Sequence, residues 1–283
     1  PLLAVFVWLV VNWASRGLTR VSQEIGERAP HRLAPIKLDR VPREIQGLVV
    51  AVNGLLQRLD AMLARERRFT ADAAHELRTP VAALKVHAHN LRHARSEAER
   101  DESQQQLDAS VSRTERLVAQ LLALSRVEPG AAAAEPRAVD LRMLAEQHLA
   151  DYGALTASRG VHMALQAESV SVRGDEAALD AMMRNLIDNA VRYSPRDGQV
   201  RVQLSREGAD AVLAVEDSGP GIAPEARTRV FERFHRELGS GVEGSGLGLS
   251  IVRQVVEMHA GSIVLDDSPQ WGGLRATVRL PAL

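Results

Sequence analysis

Residues Gln199–Ile222, QVRVQLSREGADAVLAVEDSGPGI, decide how the rest of the chain is read. Gln199–Leu204 and Ala211–Val215 alternate apolar and polar residues, and a glycine-containing turn joins them, so they read as paired strands. Directly after the second strand stand Asp217, Gly219, Gly221 and Ile222. A carboxylate at a strand end, followed by two glycines, lets a ligand approach closely and offers an acceptor for an exocyclic amine. An ordinary turn would look the same in isolation. Outward from this pair, Leu141–Ser158 reads as a helix and His162–Gln166 and Val170–Val172 as strands. Glu176–Tyr193 and Leu247–His259 are amphipathic helices, and Ser262–Leu265 and Leu274–Leu280 are closing strands. Helices interleaved with hairpin-rich strands predict an α/β sandwich over residues 138–283, one mixed sheet covered on one face.

Two more stretches of this domain carry chemistry. Gly244-Ser-Gly246-Leu247-Gly248-Leu249 leads into the helix Leu247–His259. A glycine-rich loop feeding a helix N-terminus is an anion site, because free N–H groups and the helix dipole both favour phosphate. The loop lacks the Lys-Ser/Thr of a Walker motif and the spacing of a dinucleotide fingerprint; a plain flexible loop is the alternative. In Glu176–Tyr193, Asn185, Asn189 and Arg192 lie on one helical stripe. Asparagine in a helix interior costs roughly half a kcal/mol against alanine. Two on one stripe therefore point to oxygen ligands for a hard cation such as Mg²⁺, unless the stripe merely faces solvent. Arg192 would neutralise phosphate oxygens, and Tyr193 offers an aromatic face for a base.

The first half of the chain is helical in pattern. Leu2–Val11 is an unbroken apolar run followed by Trp13, Arg16 and Arg20. Ten helical residues cover about 15 Å, half a bilayer core, so residues 1–13 read as the end of a transmembrane helix cut inside a longer apolar segment. Aromatic residues and then arginines fit a cytoplasmic exit. Residues 14–64 hold two short amphipathic helices around Pro30, Pro35 and Pro42, the second with a heptad seam at Ile45, Leu48, Val52, Leu55, Leu59 and Met62. From Glu66 to Arg100 a second seam uses Thr70, Leu77, Leu84 and Leu91 with Ala74, Val81 and Ala88. The two registers differ by one residue, about 100° of helix rotation. Residues 94–106 read as a solvated turn, and Leu107, Val111, Val118, Leu121, Leu122 and Leu124 mark a further helix, giving an antiparallel hairpin over 65–128 that pairs into a four-helix bundle. Pro129–Pro136 reads as a linker. Pro80 removes a helical hydrogen bond one turn past His75, an exposed position.

Composition narrows the function. The 283 residues carry 35 Lys and Arg against 36 Asp and Glu, and that balance argues against nucleic acid as a partner. The absence of cysteine excludes disulfides, thiolate metal sites and cysteine nucleophiles.

Five motifs in order, His75-Glu-Leu-Arg-Thr-Pro, Asn185-Leu-Ile-Asp-Asn189-Ala, Asp217-Ser-Gly-Pro-Gly-Ile, Val230-Phe-Glu-Arg-Phe and Gly244-Ser-Gly-Leu-Gly-Leu, resemble the H, N, G1, F and G2 boxes of bacterial sensor histidine kinases. Residues 14–64 resemble a HAMP signalling linker. The resemblance implies a HisKA-type dimerisation and phosphoacceptor hairpin followed by an ATP-binding domain of the GHKL type. It implies an ATP-dependent autokinase in which His75 accepts the γ-phosphoryl group, Glu76 orients its ring and takes its proton, and Thr79 orients water in a phosphatase reaction. Asp217 would recognise adenine beside Gly219, Gly221 and Ile222, and Tyr193 would stack on it. Asn189 would hold Mg²⁺, with Asn185 and Arg192 at the phosphates. Phe231 and Phe234 would anchor a lid ended by Gly244, Gly246, Leu247, Gly248 and Leu249. The implied partners are a second copy of the chain and a response-regulator receiver domain, and the implied location is the bacterial inner membrane with the kinase region cytoplasmic. A catalytically silent, ATP-binding dimeric relay is the rival reading.

Overall fold

The computed structural model describes residues 2–6, 8, 43–127, 135–235 and 245–283. Most of the upstream half of the HAMP-like linker, the linker after residue 127 and Gly244 therefore lie outside the described residues. The chain divides into two bodies, residues 1–75 and 76–283.

In the first body, residues 2–6 and 8 are helical, with Leu2, Leu3, Phe6 and Trp8 exposed. Helix α1 spans Arg43–His93 without a break, so the patterns read from Val41 and from Glu66 are one element. Of the expected seam, Leu48, Leu55, Leu59 and Met62 are exposed and Val52 is half-buried, as suits a seam that a second chain would cover. Beside it, Val49 is fully buried and Leu56 and Leu63 are half-buried. Further along, Leu77, Leu84 and Leu91 of the later seam are half-buried. Thr70, Ala74 and Val81 are exposed, and the Thr70 hydroxyl donates back to the Glu66 carbonyl at 3.0 Å. The helix also runs through Pro80, whose missing N–H leaves the Glu76 carbonyl without its usual helical donor.

In the second body, α2 spans Glu97–Val127. The expected turn at residues 94–106 shrinks to residues 94–96, because a local signal starts the helix earlier. Ser96 Oγ accepts from the Glu99 N–H at 3.2 Å, and the Glu99 carboxylate accepts from the Arg95 N–H at 2.8 Å. Such reciprocal capping satisfies donors that a helix start leaves free. Of the apolar positions expected in its core, Val111, Val118 and Leu122 are exposed, Leu107 and Leu121 are half-buried and Leu124 is buried; Leu117 and Val127, outside that pattern, are buried too.

The rest is an α/β sandwich. A five-stranded sheet has the order β2-β4-β5-β7-β6, with β2 (His162–Ala167), β4 (Gln199–Glu207), β5 (Asp210–Asp217), β6 (Ser262–Asp267) and β7 (Leu274–Pro281). Only the β2–β4 pair is parallel. A short ribbon, β1 (Arg137–Asp140) with β3 (Ser171–Gly174), joins the end of β7 through a bridge between Val172 and Ala282, and β1 had no sequence signal strong enough to predict it. Strand alternation sets which face is buried. Val200, Val202 and Leu204 of β4 and Ala276, Val278 and Leu280 of β7 all point into one core. Helices α3 (Leu141–Arg159), α4 (Glu176–Tyr193) and α5 (Gly248–Met258) cover that face. Leu179, Met182, Met183 and Ile187 of α4 and Ile251, Val252 and Val255 of α5 fill it, at helical spacing. At about 1.5–3 kcal/mol for each fully buried large apolar side chain, this layer is what holds the motif-bearing ends of α4, α5 and β5 in place.

Candidate functional site

Asp217 ends β5 and is buried. Its Oδ1 accepts from the Gly219 N–H at 2.8 Å and the Leu274 N–H at 3.2 Å. Its second carboxylate oxygen takes no hydrogen bond among the described residues. Burial pushes this carboxyl above the ordinary carboxylate range, against the two backbone N–H groups, which pull it down. The neighbouring glycines are sterically required. A Cβ on Gly219 would stand 2.6 Å from the Tyr193 carbonyl oxygen, and one on Gly273 would stand 2.2 Å from the Asp217 carbonyl oxygen. Gly221 adopts φ 70°, and Ile222 beside it is half-buried, its carbonyl accepting from Arg227 Nε at 3.0 Å.

Helix α4 starts on the Asp175 carboxylate, which accepts from the Ala177 and Ala178 N–H groups. Asn185 lies inside α4 and is buried, contrary to a solvent-facing stripe. Its Nδ2 donates to the Ala181 carbonyl at 2.7 Å. Asn189 is half-buried one turn on. The start of α5 meets both: a Cβ on Gly248 would lie 3.2 Å from Asn185 Oδ1 and 3.4 Å from Asn189 Oδ1. The Asn189 Nδ2 lies at the same 3.4 Å, so both asparagine amides face the point where α5 begins. Leu247 is fully buried and precedes α5 without any side-chain cap, and Leu249 is half-buried. The first turn of α5 also carries no acidic residue, so its N–H groups suit an anion.

Arg192 is held by Asp188 at 2.7 Å, so the structure gives it a carboxylate partner on its own helix. Tyr193 is exposed at the end of α4. Phe231 is half-buried, with Arg253 over its ring at 5.7 Å. Phe234 has φ 60°, and its N–H donates to the Gly246 carbonyl at 3.0 Å. Gly246 adopts φ 70°, and a Cβ there would stand 2.7 Å from the Phe234 carbonyl carbon. The chain ends flanking residues 236–244 are thereby tied together by backbone contact. On α1, His75 and Thr79 are exposed and Glu76 is half-buried.

Sequence reasoning missed Gln120 of α2, which bridges Asn185 and Ser245. Its Nε2 donates to Asn185 Oδ1 at 2.9 Å, and its Oε1 accepts from Ser245 Oγ at 2.6 Å. A lone glutamine on an amphipathic helix gives no signal for this. An open hollow of about 450 Å³ on the opposite sheet face, lined by Val264, Asp266, Arg275 and Thr277, includes none of the residues expected to act.

Comparison with known proteins agrees with this arrangement. Residues 174–283 match the family described as histidine kinase-, DNA gyrase B- and HSP90-like ATPase, residues 65–130 the His Kinase A (phospho-acceptor) domain, and residues 16–61 a sensor protein PhoQ-like HAMP domain. The chain is 39% identical to the sensor protein kinase PmrB of Pseudomonas aeruginosa over 99% of its own length and 59% of that protein. It is 35% identical to the sensor protein BasS of Salmonella typhimurium, over 95% of this chain and 75% of that protein. Among solved structures, the Acinetobacter baumannii histidine kinase AdeS matches with a TM-score of 0.56 and 25% identity over 73% of this chain and 97% of that one. The convergent asparagines, the glycine-walled aspartate and these matches together show that the chain belongs to the bacterial two-component sensor histidine kinases.

Proposed function

We propose that this chain is an ATP-dependent protein-histidine autokinase whose own histidine, His75, is the acceptor. The observation that carries the proposal is Asp217, a buried carboxylate with one oxygen held by two backbone N–H groups and the other open to an adenine amine. The Asn189 and Asn185 amide oxygens beside the start of α5 fit a hard cation, and the N–H groups of that uncapped start fit phosphate oxygens. Asn189 would hold Mg²⁺, which supplies neutralisation of phosphate charge. Arg192, already paired with Asp188, would lend the rest of its guanidinium to the phosphates. Tyr193 would stack on the base beside Gly221 and Ile222.

In the reaction, the neutral imidazole of His75 attacks the γ-phosphorus of ATP. A P–N bond forms as the bridging P–O bond breaks, ADP leaves, and Glu76 takes the ring proton. Such transfer needs positioning and charge neutralisation rather than covalent help. The phosphoryl group then passes to an aspartate of a response-regulator receiver domain. Exposure of His75 on α1 supports access by both donor and acceptor. Thr79, exposed one turn on, would orient water for the phosphatase reaction, in which water breaks the acyl phosphate of the regulator and releases phosphate. A second copy of the chain would complete the bundle, and the apolar residues 2–11 support anchoring at the bacterial inner membrane with the kinase region in the cytoplasm.

The test is incubation with γ-labelled ATP and Mg²⁺. Label on the protein that is acid-labile and alkali-stable is expected, and His75→Gln should abolish it while nucleotide affinity stays unchanged. ATP binding without label in the native chain would favour the silent relay instead. Thr79→Ala should keep autophosphorylation and slow dephosphorylation of the regulator; equal dephosphorylation rates would remove Thr79 from that role.

A further inference from the structure

Helix α2 is docked on α4 and α5 of the ATP-binding domain, and the centre of that contact is polar. Leu117, Gln120, Leu124 and Val127 follow 3-4-3 spacing on one face; the three apolar ones are buried. Between them Gln120 engages both walls of the nucleotide site at once. It donates to Asn185 Oδ1 on α4 and accepts from Ser245 Oγ in the glycine loop. Because Asn185 Nδ2 already donates to Ala181, both ends of the Asn185 amide are occupied in this arrangement. Ser245 is likewise drawn toward α2, although its oxygen also accepts from the Leu247 N–H at 3.2 Å.

We propose that Gln120 is a latch: while it bridges Asn185 and Ser245, α2 stays docked, and phosphate binding at α4 and the glycine loop must displace it. The proposal rests on the nucleotide reading of the site and adds to it a residue outside the ATP-binding domain that sets its affinity. Docking and nucleotide loading draw on the same two side chains, so each weakens the other by the same factor. A neighbouring feature favours release. Arg116 sits one turn before Gln120, where burial first and the charge of Arg192 second make its charged form less favourable; the Asp188 carboxylate and the Tyr152 hydroxyl group attached to it offset part of this. The docked face therefore sets Arg116 near Arg192 at the phosphate end of α4, where Asp188 offsets part of their like charge. A nucleotide that loads would free α2, and with it the C-terminal half of the helical hairpin, to move.

The experiment measures Mg·ADP affinity by calorimetry on the full chain for the native protein, Gln120→Ala and Ser112→Ala. Each lost hydrogen bond is worth about three- to tenfold and Gln120→Ala loses two, so it should bind Mg·ADP roughly ten- to hundredfold more tightly. Ser112→Ala, at an exposed position on the same helix, should bind as the native protein does. Amide hydrogen exchange gives a second readout: Mg·ADP should speed exchange in residues 113–124 of the native protein, and Gln120→Ala should show the fast rate without nucleotide. Unchanged or weaker affinity in Gln120→Ala, with normal binding by the native chain, overturns the latch and leaves the nucleotide site standing. An equal gain in Ser112→Ala also overturns it, since helix stability would then be the cause. No Mg·ADP binding by any of the three would overturn the nucleotide reading itself, and the latch with it.

Discussion

Burial raises the Asp217 carboxyl above the usual range, and this sets stability against function at one side chain. A carboxyl whose folded pKa is raised contributes stability that is fully present below its unfolded value of 3.8 and is lost as pH rises through the folded value. At neutral pH the ionised form is therefore a cost that the fold bears. Asp217→Asn keeps an oxygen for the Gly219 and Leu274 N–H groups and removes that charge. Its melting temperature at pH 7 should rise by about 2–4 °C, the shift expected for about 1 kcal/mol in a domain of this size. Its nucleotide affinity should fall by about ten- to hundredfold, as for a lost charge-assisted hydrogen bond. Calorimetry on both variants checks the two together; a drop in both quantities would mean that Asp217 is structural. In the native chain, nucleotide affinity should decline on acidification at a higher pH than an ordinary carboxylate would give, because a proton on the open oxygen would block its acceptance of an amine hydrogen. The setting of Asp217 was legible in sequence because the glycines around it state a steric demand. That of Gln120 was not, because its partners are 65 and 125 residues away.

Among the elements, α1 carries two neighbouring apolar rows that both satisfy heptad spacing. Val49, Leu56 and Leu63 are the covered row upstream, and Leu48, Leu55, Leu59 and Met62 are the exposed one. Because the helix is unbroken from Arg43 to His93, deleting one residue between Arg65 and Arg68 rotates everything downstream by about 100°. The deletion should lock the balance between autophosphorylation and regulator dephosphorylation at one extreme, whereas a seven-residue insertion, which restores phase, should leave it adjustable by the upstream segment. A normal balance in the single deletion would show that phase through this segment carries no signal. The start of α2 teaches a different lesson. Ser96 and Glu99 form a capping pair written in the sequence, but the surrounding charged residues, RSEAERDESQQ, resemble a loop by composition alone. Local hydrogen bonding outweighed polarity there.

Over the whole molecule, one class of residue remains to be covered. Leu48, Leu55, Leu59 and Met62 of α1 and Val111, Val118 and Leu122 of α2 are large, apolar and exposed. Rows of this kind at helical spacing are what a second copy of the chain would bury. Leu55→Asp and Leu122→Asp should each shift the chain from dimer toward monomer in sedimentation analysis, by about a hundredfold or more in dissociation constant, because each substitution removes a leucine worth about 1.5–3 kcal/mol from both copies. Dimers of native strength in both would assign these rows another role. The sequence alone determined the helices of the ATP-binding domain, its strands other than β1, and the positions of His75, Asn185, Asn189 and Asp217. Periodicity, glycine sterics and carboxylate chemistry act over a few neighbouring residues, so they can be read locally. Only the tertiary structure decided that Asn185 is buried, that β1 pairs with β3, which of two heptad stripes is covered, and that Gln120 reaches across to the glycine loop. Each of those depends on which distant surface packs against a residue, and burial and hydrogen bonding across such distances leave no mark in local pattern.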